Sequence, residues 1–165
     1  MTETFAIEGW ASIYDQPDLN NDVVAPGAFE RSLGGGRARG VKLLSQHAAD
    51  APIGRWLSFE ERPRGLYARG EIVLATTRAR ETAALIAGGI IDGLSIGFRT
   101  VRARRADGGR RILEADLWEV SVVTFPMAPA ARIVRAGGGV GEARPFNETL
   151  AFADAVRRAG TILSA

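Results

Sequence analysis

Hydrophobic and polar positions alternate from the start of the chain: Phe5, Ile7, Gly9, Ala11 and Ile13 share one face, with mostly polar residues between them. A period of two predicts an opening strand with one buried side. Strand-like runs follow at 41–46, 53–60 and 66–73, separated by turns carrying Ala51-Pro52 and Pro63-Arg64-Gly65. Over 78–87 the spacing becomes helical, with Ala79, Ala83, Ile86 and Ile90 on one face, Thr77 as N-cap and Gly88-Gly89 as the stop. A shorter helix is expected over 27–33, opened by Pro26 and ended by Gly34-Gly35-Gly36. Strands over 94–101 and 111–117 flank the turn Asp107-Gly108-Gly109, a third runs over 118–125 until Pro126 and Pro129 break it, and 131–134 completes the set.

Seven or eight short strands with two brief helices predict a mainly β domain over 1–136, built as a closed or nearly closed β-barrel of about seven strands. A glycine-rich linker over 137–146 leads to a C-terminal amphipathic helix or tail over 147–165, in which Asn147 caps a helix carrying Leu150, Ala153 and Val156.

Composition narrows the chemistry. A hydrophobic fraction of 46% with 24% charged residues is that of an ordinary globular protein able to bury a core. With no cysteine, disulfides, thiolate zinc sites and cysteine nucleophiles are excluded. The net charge of +2 is close to balance, and the one basic cluster, Arg99, Arg102, Arg104, Arg105, Arg110 and Arg111, brackets the 107–109 turn without interleaved aromatics. It reads as a solvated hairpin tip rather than a nucleic-acid contact. The N-terminus has no signal-peptide pattern, and the longest apolar run, 83–91, is too short to span a bilayer, so a cytoplasmic protein without membrane partners is expected.

Candidate chemistry centres on the single histidine, His47, at the end of the 41–46 strand. Histidine is the side chain best suited to act as a base near neutral pH, although the position also suits a loop-anchoring residue. Among seven serines, Ser95 stands out in Asp92-Gly93-Leu94-Ser95-Ile96-Gly97-Phe98. Leu94, Ile96 and Phe98 fall on one face of this strand, Ser95 and Gly97 on the other, and the two glycines clear space around the hydroxyl. Ser121 is the rival nucleophile. Glu119, inside the apolar run Leu117-Trp118-Glu119-Val120-Ser121-Val122-Val123, needs a partner for its buried charge, which His47 or an arginine would supply. Asp116 and Glu114 are alternatives, and Lys42, the only lysine, would have to serve any Ser–Lys dyad. No nucleotide-binding glycine loop is present, one histidine cannot make a His-Glu-x-x-His zinc site, and no cofactor is expected.

Several segments resemble, in order, the prohead maturation proteases of tailed bacteriophages and gene transfer agents. They are Gly9-Trp10-Ala11 with Tyr14-Asp15; Asp22-Val23-Val24 with Pro26-Gly27-Ala28-Phe29; Leu43-Leu44-Ser45-Gln46-His47 with Pro52-Ile53-Gly54; Gly65-Leu66; Gly93 through Phe98; and Glu119 through Val123 with Pro126. Together they span roughly 5–134, and Asn20-Asn21-Asp22 departs from a glycine that often precedes the aspartate in this family. The resemblance implies a herpesvirus-protease-like fold and a serine endopeptidase with Ser95 as nucleophile, His47 as base and Glu119 as third member. It also implies backbone N–H groups near Met127 and Ala128 as oxyanion donors. The implied partners are the major capsid protein precursor with its scaffolding segment and further copies of the protease itself, inside assembling proheads. A catalytically inert barrel that binds capsid proteins as scaffold or adaptor, and a hydrolase of small esters, are the competing readings.

Overall fold

The computed structural model describes residues 2–138 and 144–145. Strand β1 (Thr4–Ile13) opens the chain, followed by β2 (Asp22–Val24), a single helical turn α1 (Glu30–Leu33) and 3-10 turns over Gly34–Gly40. Next come β3 (Lys42–Ser45), β4 (Pro52–Arg62), β5 (Gly65–Val73) and helix α2 (Thr77–Ala87). Then a long hairpin of β6 (Gly93–Ala106) and β7 (Gly109–Val123) leads to β8 (Ile133–Ala136) and the two-residue β9 (Arg144–Pro145).

These strands form one sheet in the order β2-β7-β3-β4-β5-β1-β8-β9, with β6 on the opposite edge of β7. Two pairings in it are parallel, β2 with β7 and β3 with β7, and the remaining ladders are antiparallel. The expected closed barrel is not formed. Seven strands curl strongly, but β6 and β8 meet only at their first residues. There Gly93 bridges Arg132, Leu94 N–H donates to the Ala131 carbonyl and Ile133 N–H donates to that of Asp92. No ladder continues from that stitch among the described residues, so the sheet is a curled half-barrel.

The concave side holds the core, where Ile7, Leu43, Ile53, Leu66, Ile72, Leu94, Ile112, Val120 and Val122 are buried with Phe29 and with Ile86 of α2. Trp56 reaches through this core and donates its indole N–H to the Val120 carbonyl at 3.2 Å. Tyr14 donates to Glu61, which also accepts the Phe29 N–H, so the end of β1 and the chain entering α1 are pinned to β4. Burial, then the Glu61 charge, pushes the Tyr14 phenol well above its ordinary range and keeps it a donor.

Several sequence expectations shift. The 111–117 and 118–125 segments are one strand, β7, because a bulge at Trp118 interrupts its alternation: Gly97 pairs with Glu119 but Phe98 with Leu117. The α2 cap is Thr76 rather than Thr77, its side chain accepting the Ala79 N–H at 3.2 Å. Ile90, placed on the buried face of that helix, lies past its glycine stop and is exposed. The 27–33 helix shrinks to four residues because Gly27 adopts φ +80 in the preceding turn. Within the expected linker, Arg144 and Pro145 pair with β8. The expected helix over 147–165 lies outside the described residues.

Gly9 shows what the curl demands. A Cβ there would fall on the Arg132 carbonyl and 2.7 Å from Ile133 Cα, because the register shift between Glu8 and Gly9 in the β1–β8 ladder brings that backbone against it. Gly9→Ala is therefore expected to destabilise the domain by about 1–3 kcal/mol, as overpacking does. Gly34→Ala, where a Cβ meets nothing within 4 Å, should leave the thermal midpoint nearly unchanged. Paired thermal denaturation curves of the two variants check this contrast.

Candidate active site

The site begins where β3 ends. Lys42, Leu43, Leu44 and Ser45 run parallel to Glu119, Val120, Ser121 and Val122 of β7. The chain then reverses through two consecutive left-handed residues, Gln46 (φ 56) and His47 (φ 58). Neither is glycine, and this conformation costs an ordinary residue roughly 1–2 kcal/mol. The neighbourhood holds it in place. Gln46 N–H donates to the Val122 carbonyl at 2.9 Å, and the Gln46 amide both donates to Thr124 Oγ1 and accepts the Thr124 N–H. The turn brings His47 back over β7 instead of past its end.

There the imidazole Nδ1 lies 2.6 Å from Glu119 Oε1. An ionised carboxylate only accepts, so Nδ1 carries the proton and Nε2 is the free nitrogen of the neutral ring. The other carboxylate oxygen, Oε2, accepts the Ser121 hydroxyl at 2.5 Å, and Ser121 Oγ in turn accepts the His47 backbone N–H at 3.2 Å. The histidine side chain is 44% exposed and that of the glutamate 15%, so a sheltered carboxylate orients a ring that solvent and a ligand can reach. Of the partners that Glu119 required, the structure supplies His47 and adds a serine.

Ser95 lies on β6 directly opposite Ser121 in the ladder. The residue is 4% exposed, yet its hydroxyl makes no hydrogen bond, and no fully sealed side-chain polar atom among the described residues lacks a partner. The Ser95 oxygen is therefore reachable from solvent. Ser95 and His47 are not hydrogen-bonded to each other; the His47 partners are Glu119 and Ser121. A cavity of about 50 Å³ beside Ser95 is bounded by Ser12, Gln16, Asp18 and Ile96 and by Met127 and Ala128. The proposed oxyanion segment thus shares a cavity with Ser95.

The glycines flanking Ser95 have a different role from the one expected. A Cβ on Gly97 would run into the Glu119 carboxylate, within 2.9 Å of its Cγ and Cδ, and one on Gly93 would meet the Val123 carbonyl and Pro126. Both spaces are filled by the protein itself. The other candidates are engaged elsewhere: Asp116 pairs with Arg99, and Glu114 with Arg31 and Arg102. Arg110 pairs with Asp22 and Arg111 with Asp15, so the basic hairpin is largely neutralised by local acids. Ser45 is buried against Thr82.

The chain is similar to known proteins in sequence and in fold. The sequence family described as caudovirus prohead serine protease matches residues 1–139. The prohead protease of Enterobacteria phage HK97 is 32% identical over 130 residues, covering 76% of this chain and 57% of its own length, so the chain spans little more than half of that relative. Among solved structures, the protease of Kaposi's sarcoma-associated herpesvirus, in complex with a hexapeptide phosphonate inhibitor, is similar with a TM-score of 0.60 at 12% identity, over 83% of this chain and 66% of its own. The bacteriophage T4 capsid assembly protease is similar with a TM-score of 0.56 at 17% identity, over 73% of this chain and 82% of its own. At such identities these two structures establish the shared fold.

Because His47 is the only histidine, its ring can be observed without assignment ambiguity. Wild-type protein is expected to give one low-field Nδ1–H proton resonance from the His47–Glu119 bond. Gly97→Ala, by displacing the carboxylate, should abolish that resonance while leaving a folded amide spectrum.

Proposed function

The chain belongs to the caudovirus prohead serine protease family, and from that membership together with the His47–Glu119 pair we propose that it is a serine endopeptidase of capsid maturation, with Ser95 as nucleophile. The observation that carries the reading is the 2.6 Å contact of His47 Nδ1 with Glu119, which leaves Nε2 as the basic nitrogen on the side of the sheet that Ser95 shares.

The chemistry is acyl transfer. His47 Nε2 takes the Ser95 proton as Oγ attacks the peptide carbonyl, and Glu119 stabilises the imidazolium that results. Charge builds on the carbonyl oxygen, and in this reading Met127 and Ala128, which line the cavity beside Ser95, supply the backbone N–H groups that receive it. The imidazolium then gives its proton to the leaving amine. Water, deprotonated by the same ring, then attacks the acyl carbonyl, and as the bond to Ser95 Oγ breaks the imidazolium returns the proton to that oxygen.

The substrates in this reading are the N-terminal scaffolding segment of the major capsid protein precursor and the protease's own chain, cut inside assembling proheads in the cytoplasm of the producing cell. Family membership and the HK97 relative support this assignment. Among the described residues no helix is long and apolar enough to cross a membrane.

Co-expression with the cognate capsid precursor tests the reading. Wild type should shorten the precursor by a defined mass, and Ser95→Ala should leave it intact, since loss of a serine nucleophile costs on the order of 10⁶ in rate in subtilisin. Equal cleavage by both proteins would remove Ser95 from the mechanism, and an uncut precursor with wild type would favour a scaffolding role.

A further inference from the structure

We propose that Ser121, two residues beyond Glu119 on the same strand, is a positioning residue that sets the geometry of the His47–Glu119 pair. This rests on the reading of Ser95, His47 and Glu119 as the reacting and orienting groups.

The hydrogen bonds around Ser121 close a circuit. Its hydroxyl has one proton, and that proton goes to Glu119 Oε2 at 2.5 Å. The lone pairs that remain accept the backbone N–H of His47 at 3.2 Å. Glu119 Oε1, meanwhile, binds the ring of the same histidine. His47 is thus held at two points, its ring by one carboxylate oxygen and its backbone by the hydroxyl that fixes the other. Rotation of the carboxylate would break the Ser121 bond, and opening of the left-handed turn at Gln46–His47 would break the amide bond. A single hydroxyl therefore couples a strained backbone to the orientation of the imidazole.

Ser121 is fully buried, at 0% exposure, and its proton is committed to Glu119, so it has neither the access nor the free lone-pair geometry of a nucleophile. Its Cα partner across the ladder is Ser95. The same register position therefore carries the nucleophile on one strand and the group that aligns its base on the next. Without the hydroxyl, two polar groups lose their partner together: the carboxylate oxygen and the His47 amide.

Three variants separate positioning from simple core packing: Ser121→Ala, Ser121→Thr and Ser121→Cys. Ser121→Cys keeps the size of the side chain but replaces the hydroxyl with a weak hydrogen-bonding thiol. In initial-rate cleavage of the purified capsid precursor, Ser121→Ala and Ser121→Cys should lower kcat by roughly 10- to 100-fold with KM changed less than about 3-fold, the range of lost general-base alignment. Ser121→Thr, which keeps the hydroxyl, should recover most of that loss. In proton spectra the His47 Nδ1–H resonance should vanish or broaden with Ala and Cys and persist with Thr. Wild-type kcat together with an unchanged His47 resonance in a folded Ala or Cys variant would overturn the proposal. Should Ser95→Ala cleave like wild type, the nucleophile assignment fails instead, while the resonance still reports whether Ser121 holds the histidine.

Discussion

The parallel pairing of β3 with β7 is the constraint on which the site depends. It places Lys42 beside Glu119 and Ser45 beside Val122, so the chain leaving β3 emerges level with the end of β7. A slip of β3 by one residue would turn Leu43 away from the face it shares with Val120 and Val122 and shift His47 relative to Glu119. The core therefore protects the register, and the register protects the chemistry. The strands it joins are separated in sequence by β4, β5, α2 and β6, so this contact closes a long loop and its entropy must be met by the apolar burial around Leu43, Val120 and Val122.

β7 is the spine of that arrangement. One edge takes β6 along its whole length, and the other takes β2 at its start and β3 at its end. The Trp118 bulge falls between the half of β7 that carries the arginine-rich tip and the half that carries Glu119 and Ser121. Beyond the bulge, Glu119 and Ser121 share a face with Ser95 and Gly97 of β6, while Val120 and Leu94 turn into the core. The polar face carrying Ser95, Glu119 and Ser121 and the hydrophobic face of the same few residues are thus separated by nothing more than the pleat.

Much of this was legible in the sequence because it is local. Alternation identified β1, the 41–46, 53–60 and 66–73 strands, and the face that Ser95 shares with Gly97. A lone carboxylate in an apolar strand pointed to a partner, and the only histidine was a natural one. What the sequence did not carry was long-range or geometric. The half-barrel differs from a closed barrel only in how far β6 and β8 are stitched, which no strand pattern encodes. The bulge at Trp118 broke the period of two and made one strand look like two. The left-handed pair Gln46–His47 carries no glycine to announce it, because its conformation is held by Val122, Thr124 and Ser121, residues more than 70 positions away. For the same reason Ser121 read as a spare nucleophile: its role appears only once His47 has been folded back over it.

The two glycines around Ser95 do something other than what their position in the sequence suggests. Small neighbours suggested room for a substrate, yet the space beside Gly97 belongs to Glu119 and that beside Gly93 to the Val123 carbonyl and Pro126. A side chain at 97 would push the carboxylate off His47, and one at 93 would push away the segment that leads to Met127 and Ala128. The strand bearing Ser95 is thus bare at both positions, where the Glu119 carboxylate approaches at one end and Pro126 at the other. What the protein's own side chains leave open beside Ser95 is the cavity bounded by Ile96 and Met127, and the His47 ring is half-exposed.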